Sequence, residues 1–216
     1  MSDETNAVTA TDVTVVLDRS GSMAAITHEV IAGFNGFLSD QAASAGKCRL
    51  TLVQFDSEDP FEVVIDDLPV AECVGLTTAT YEPRGGTPLY DALGNALVYA
   101  EKRLAAADGE VDPLVVVITD GLENSSSDYT REQVFERITE LRDRGWTFAF
   151  LAANQDAMSA GGAIGLAGGS TANWDASAEG IDLAFSLVAD RVTEFRGRSR
   201  EDRLAARDDF FEEGEA

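Results

Sequence analysis

The sequence predicts an α/β fold: a doubly wound, mostly parallel central sheet with helices on both faces and one antiparallel edge strand. Three observations predict it. Short apolar runs alternate with longer segments whose apolar residues recur every three or four positions. Two of the runs, VVVIT at 115–119 and FAFLAA at 148–153, are apolar almost without a break, as strands buried on both faces are. Finally, RLTLVQF (49–55) and FEVVIDD (61–67) are joined only by DSEDP, which is too short for a crossover, so this pair is a hairpin.

Taken in order, residues 1–11 form a short leader, and Asp12–Leu17 is the first strand, its apolar residues Val13, Val15, Val16 and Leu17 interrupted by Thr14. A helix over 24–43 follows, with Ile26, Val30, Ile31, Phe34, Phe37 and Leu38 on one stripe. After the hairpin, 68–86 is a long irregular connection, the kind that is functional or poorly ordered. Thr87 stands where a helix N-cap belongs and Pro88 where the first helical residue belongs. Leu89, Leu93, Leu97 and Leu104 then mark the next helix. PLVVVITDG (113–121) is a buried strand. Thr130 and Gln133 form a capping box for a helix that buries Val134, Ile138 and Leu141 and stops at Gly145. WTFAFLAA (146–153) is another buried strand, a glycine-rich stretch (161–169) leads to a short strand near 170–173, and Ile181, Phe185, Val188, Val192 and Phe195 lie on the last main helix. One domain therefore spans 12–196. The tail, 197–216, is charged and is either a short helix or disordered.

Composition narrows the function. With a formal net charge of −23 and a pI near 4.1, the surface repels nucleic acid and anionic membranes, and neither is an expected partner. No stretch approaches the roughly 18 apolar residues of a membrane span. The opening MSDETNAVTATD has no basic region and no apolar run, unlike a secretory signal, and two cysteines make no disulfide framework. A cytoplasmic location is the expectation. Basic residues are nearly all arginine: Lys47 and Lys102 are the only lysines against fourteen arginines.

The chemistry is concentrated in three loops. The first apolar strand ends on Asp18-Arg-Ser20-Gly-Ser22, the long connection ends on Gly85-Gly86-Thr87-Pro88, and the strand 113–119 ends on Asp120-Gly121. In doubly wound sheets, ligands bind beyond the carboxyl ends of strands where the strand order reverses, so Asp18 and Asp120 share one rim. Together the loops offer two carboxylates and three hydroxyls, with no imidazole or thiolate. Such an oxygen-only set suits a hard cation, Mg²⁺ first with Mn²⁺ or Ca²⁺ as alternatives, over zinc. A plain structural reading competes: Asp18 and Ser20 could merely cap a helix. Asp91, one turn into its helix, and the single histidine, His28, read as supporting or surface residues. The glycines of 161–169 lack both GK[ST] and GxGxxG and read as turns.

DRSGSM, then GGTPL, then ITDG, in that order on strand ends, resembles the von Willebrand factor A (vWA) domain, whose metal-ion-dependent adhesion site (MIDAS) is written Asp-x-Ser-x-Ser, Thr, Asp. Here Asp18, Ser20, Ser22, Thr87 and Asp120 fill those positions. The resemblance spans about Val13 to Phe195, and FAFLAANQDA and GGSTANWDAS resemble small stand-alone bacterial, archaeal and phage proteins of that family, more loosely. It implies a Rossmann-like fold and an intact MIDAS. Ser20 and Ser22 would ligate the cation directly, Thr87 directly or through water, and Asp18 and Asp120 through water and hydrogen bonds. It also implies a protein partner that completes the shell with an Asp or Glu carboxylate, and no catalysis. The competing readings are a Mg²⁺-dependent phosphohydrolase or a phospho-signalling domain using Asp18. The first wants a second acid two residues on, where Ser20 stands. The second wants an acidic pair ahead of the strand-end Asp and a lysine after the third strand, and neither is present.

Overall fold

The computed structural model describes residues 10–107, 109–153 and 157–212, with Ala157 and Met158 described for backbone only. Residues 1–9 of the expected leader, the 154–156 part of FAFLAANQDA and the last four residues of the tail lie outside the described residues.

Six strands form one sheet: β1 (Ala10–Asp18), β2 (Cys48–Phe55), β3 (Glu62–Pro69), β4 (Val111–Thr119), β5 (Thr147–Ala153) and β6 (Thr171–Trp174), in the order β3-β2-β1-β4-β5-β6. Every neighbour pair is parallel except β2–β3, so the hairpin supplies the antiparallel edge. The helices are α1 (Thr27–Ala43), α2 (Leu89–Ala105), α3 (Arg131–Asp143), α4 (Ala157–Ala163), α5 (Ala178–Gly197) and α6 (Arg200–Ala205). The chain winds from β1 outward to β2 and β3, then restarts at β4 on the other side of β1 and winds out to β6. The strand order therefore reverses between β1 and β4, where Asp18 and Asp120 sit.

Alternation along the buried strands divides the core in two. Val13, Val15 and Leu17 of β1 pack with Val116 and with Phe34, Phe185 and Val192 of α1 and α5. Val16 faces the other way, toward Leu93 and Leu97 of α2 and Ile138 of α3. Among the described residues, no helix is long and apolar enough to cross a membrane.

The helix starts agree with the sequence expectation at α3 and differ from it at α1 and α2. A 3₁₀ turn, Gly21–Ile26, precedes α1, so the α-helix proper starts at Thr27. The capping box of α3 is present: Gln133 N donates to Thr130 Oγ1 at 3.3 Å and Thr130 N donates to Gln133 Oε1 at 2.8 Å. Past the helix, Gly145 takes φ +91, a value glycine alone adopts freely. Thr87, by contrast, does not cap α2. The helix starts at Leu89, and its first amides, Tyr90 N and Asp91 N, donate instead to Ser126 Oγ at 3.0 and 3.1 Å, with Glu123 Oε2 also 3.0 Å from Tyr90 N. The cap comes from a distant loop, which frees the Thr87 side chain.

The tail is docked over its described part. Arg203 of α6 is buried, donates to Asp112 Oδ2 at 2.6 Å and to Arg196 O at 2.7 Å, and lies 5.0 Å from the Phe195 ring centre. Phe210 is also buried, its ring 6.2 Å from that of Phe195.

The packing of α1 on α5 depends on Gly33. A methyl there would sit 2.4 Å from Cδ2 of Phe185 and 3.1 Å from its Cβ, so a ring swing alone cannot make room. Helix propensity favours alanine by about 1 kcal/mol, but overpacking costs about 1–3 kcal/mol. Gly33→Ala is therefore expected to lower stability, by about 1 kcal/mol, in urea unfolding followed by circular dichroism.

Candidate functional site

Asp18 ends β1 with its carboxylate fully buried. Both oxygens are engaged: Oδ1 accepts from Ser20 N at 2.6 Å and Oδ2 from Thr119 Oγ1 at 2.5 Å. Burial pushes its pKa up to about 6, against the lowering effect of the Thr119 and Ser20 hydrogen bonds. Asp120 is half-buried and is also raised by burial, opposed by the hydrogen bond from Ser22.

The hydroxyls meet at the same place. Ser20 Oγ lies 3.1 Å from Ser22 Oγ, and Ser22 Oγ donates to Asp120 Oδ1 at 2.6 Å. Thr87 is buried, and a methyl built on Gly121 would stand 3.3 Å from its Oγ1 and 3.9 Å from Ser22 Oγ. Asp18, Ser20, Ser22, Thr87 and Asp120 are thus brought to one rim. The donor set fits a small hard cation: metal–oxygen distances of 2.0–2.1 Å in an octahedron put adjacent ligand oxygens roughly 3 Å apart, close to the serine–serine spacing. Among the described residues, no group of three or more His, Cys, Asp or Glu is arranged to hold a metal. A cation here would depend on the hydroxyls.

The rim loops are laced by their backbones. Gly21 N donates to Gly85 O at 3.0 Å, Arg84 N to Arg19 O at 2.9 Å, and Ser57 N to Gly86 O at 3.1 Å. Gly85 has φ +63, and a Cβ on it would strike Ser57 Oγ at 2.4 Å. The connection before it is anchored rather than loose: Tyr81 is fully buried and its hydroxyl donates to Asp18 O at 2.8 Å.

Sequence reasoning missed the residue at the centre of this lacing. Asp56, at the end of β2, is fully buried. Its Oδ2 accepts from Arg19 Nε at 2.8 Å and from Arg84 Nε at 3.0 Å. Its Oδ1 accepts from Glu58 N at 2.7 Å and Asp59 N at 3.0 Å. Burial alone would raise its pKa, but the Asp59 and Glu58 amides and the Arg19 guanidinium together hold it below the usual carboxylate range. Arg19 stands between Asp18 and Ser20 in sequence, and Arg84 just before Gly85-Gly86-Thr87. One carboxylate therefore clasps the loop carrying the serines to the loop carrying the threonine. Arg19 also donates to Gln54 Oε1 at 3.1 Å and pairs with Glu62 of β3.

The loop after Asp120 is organised separately. Glu123 accepts from the amides of Ser125 and Ser126 at 2.9 and 2.7 Å, and Asn124 Oδ1 accepts from Thr87 N at 2.8 Å. Asp91 is buried and accepts from the amides of Ser127, Asp128 and Tyr129 at 2.8, 2.9 and 2.7 Å. It holds this loop rather than the rim. His28 is an exposed residue of α1.

A doubly wound sheet whose reversal point carries an oxygen-only rim narrows the class of fold. The comparison with known families makes the assignment: residues 12–178 match the von Willebrand factor type A domain, and the chain belongs to that family. No curated protein matches it. Among solved structures, the chain is similar to the pilus adhesin SpaC from Lactobacillus rhamnosus GG in its open conformation, with a TM-score of 0.66, 13% identity, and coverage of 86% of this chain and 30% of that one. It is similar to manganese-loaded TRAP protein from Plasmodium vivax, with a TM-score of 0.57, 18% identity, and coverage of 84% and 73%. It is also similar to proximal thread matrix protein 1 from the mussel byssus with a zinc-occupied MIDAS motif, with a TM-score of 0.59, 17% identity, and coverage of 86% and 46%. At these identities the likeness is one of fold. The chain spans about a third of the adhesin's length.

Proposed function

We propose that this protein is a non-catalytic binding module whose rim holds a divalent cation through Ser20, Ser22 and Thr87, with Asp18 and Asp120 as supporting carboxylates. The observation that carries this reading is the chain of contacts from Ser20 Oγ to Ser22 Oγ at 3.1 Å and from Ser22 Oγ to Asp120 Oδ1 at 2.6 Å. The bound cation would supply an electrophilic seat for an Asp or Glu of a partner protein. Mg²⁺ is the ion chosen by the oxygen-only donors. Among the similar structures, one is manganese-loaded and another has a zinc-occupied MIDAS motif, which supports a divalent ion here.

The chain's own residues explain why such a site would favour a carboxylate. With neutral hydroxyls as nearest ligands, little of the ion's charge is cancelled. Asp18 spends its oxygens on Ser20 N and Thr119 Oγ1, which fixes the loop rather than neutralising a ligand. A chain of net charge −23 repels an acidic partner at long range. Capture then depends on the local cation.

Mn²⁺ binding followed by electron paramagnetic resonance tests the site. Wild type is expected to bind, and Asp120→Ala and Ser22→Ala each to bind about 100-fold more weakly, the loss of about one charge-assisted contact. Affinity capture with Mg²⁺ or EDTA then tests the partner: it is expected only with wild type and Mg²⁺. Equal Mn²⁺ binding in wild type and Asp120→Ala would overturn the reading.

A further inference from the structure

The charge of this chain is unevenly placed along the sheet. α1, α3 and α5 each follow a parallel strand and α2 leads into one, so all four start at the rim and end at the far side. The helix ends carry cations: Lys102 and Arg103 in α2, Arg142 in α3 and Arg196 in α5. The rim is nearly bare of them. Its loops and the first turns of these helices hold Arg19, Arg84 and Arg131 and no lysine. Each of the three is already in an ion pair: Arg19 and Arg84 with Asp56, and Arg131 with Glu132 at 2.7 Å.

Acids, by contrast, are left over at the rim. The first-turn carboxylates Glu29, Glu132 and Glu179 have a plain explanation in the helix macrodipole, whose effect fades beyond one turn. Glu58 and Glu82 have none, since both are exposed loop residues. Glu58 follows Ser57, whose amide donates to Gly86 O at 3.1 Å, and Glu82 stands two residues before Arg84, whose amide donates to Arg19 O at 2.9 Å. Both therefore flank the loop that carries Thr87. Asp128, on the loop that begins at Asp120, is exposed too, and its amide donates at 2.9 Å to Asp91, one turn into the helix that Thr87 precedes. Glu82 and Asp128 form no ion pair among the described residues. Glu58 has only a 3.7 Å contact with Arg84, which Asp56 holds more closely.

A partner that brings a carboxylate to this rim meets positive charge at one point, the bound cation, and acidic side chains around it. A uniformly acidic segment gains at that point and loses at every other. Basic flanks turn the same surface into steering and specificity, because complementary charge raises the rate of encounter and like charge rejects wrong partners. We propose, on the footing of the cation-binding reading above, that the partner presents a single Asp or Glu set among lysines or arginines. The acid goes to the metal, and the bases go to Glu58, Glu82 and Asp128.

The test titrates the full chain at low salt with end-capped heptapeptides whose central aspartate is flanked by lysines, by serines or by glutamates. Mn²⁺ occupancy is read by electron paramagnetic resonance and peptide binding by isothermal titration. With Mn²⁺, the lysine-flanked peptide is expected to bind at least about fivefold more tightly than the serine-flanked one, and the glutamate-flanked one more weakly than either. EDTA, or asparagine in place of the central aspartate, is expected to remove most of this binding. In Glu58→Gln/Glu82→Gln/Asp128→Asn the lysine preference should fall to about twofold or less, while Mn²⁺ affinity stays within about threefold of wild type. All three side chains are exposed, so the variant is expected to fold as wild type does. Lysine- and serine-flanked peptides binding alike, or neither binding with Mn²⁺ in place, would overturn the inference and leave cation binding intact. So would a lysine preference that survives in the triple variant or needs no central aspartate, since it would then belong to the overall charge of the chain. A chain that takes up no Mn²⁺ would overturn the reading beneath it.

Discussion

Asp56→Ala is expected to lose about 3–5 kcal/mol of stability, the cost of taking from a buried guanidinium its buried carboxylate and from the Glu58 and Asp59 amides their acceptor. For a chain of this size that lowers the melting temperature by roughly 6–20 °C. The arithmetic rests on Arg19, whose side chain is 6% exposed and keeps only Glu62 and Gln54 Oε1 as partners once the Asp56 carboxylate is gone. Arg84, at 38%, can turn outward and adds little. Asp56→Asn separates two roles. An amide oxygen can still accept from Glu58 N and Asp59 N and keep the turn, but it cannot balance two guanidinium groups. The asparagine variant is thus expected to fall between wild type and alanine in stability, while weakening Mn²⁺ binding several-fold because the serine and threonine loops are no longer clasped. Arg19→Met combined with Asp56→Ala should recover much of the lost stability, since an apolar pair of similar volume is often neutral, and a double-mutant cycle measures the coupling. A Mn²⁺ affinity unchanged in Asp56→Asn would show that the clasp is structural only.

This clasp also marks the limit of what the sequence discloses. Parallel strands buried on both faces write themselves as apolar runs, and amphipathic helices as stripes, so the sheet, its hairpin edge and the reversal between β1 and β4 were legible before any coordinates. Strand-end chemistry was legible for the same reason: a polar residue breaking an apolar run, as Asp18 breaks Val13–Leu17, has no packing explanation. Ion pairs between residues 37 apart, such as Arg19 and Asp56, have no period to betray them. Thr-Pro before a helical stripe satisfies every local rule for a cap, yet Thr87 does not cap α2. The loop carrying Glu123 and Ser126 supplies that cap from more than 30 residues away. The docking of Phe210 is equally hidden, since two adjacent aromatic residues amid charges give no period.

The second large effect is a reversal of pH dependence on adding metal. Without a cation, the buried Asp18 carboxyl has a pKa of about 6, raised above the ordinary Asp value of about 3.9. The folded state then holds a proton between about pH 4 and 6 that the unfolded chain has released, so stability falls as pH rises through that window. A shift of this size corresponds to about 3 kcal/mol. Asp120, also raised, acts in the same direction. Mn²⁺ binding needs the ionised carboxylates, so its affinity is expected to fall about tenfold between pH 7 and pH 5 from Asp18 alone. The fall should steepen below that as Asp120 takes its proton. Thermal unfolding across pH 4–8 should therefore slope downward with pH in EDTA and upward in saturating Mn²⁺. Asp18→Asn should abolish both slopes' Asp18 component. Its amide oxygen can still accept from Ser20 N, and its NH₂ can donate to Thr119 Oγ1, which is free to donate to Gly121 O at 3.1 Å. At pH 7 in EDTA this variant should be more stable than wild type by up to about 3 kcal/mol, yet bind Mn²⁺ poorly. Parallel slopes with and without Mn²⁺ would mean that the cation does not meet these carboxylates. Opposite slopes would mean that the fold tolerates a buried, half-ionised acid at some cost in stability because the charge is needed when a cation arrives.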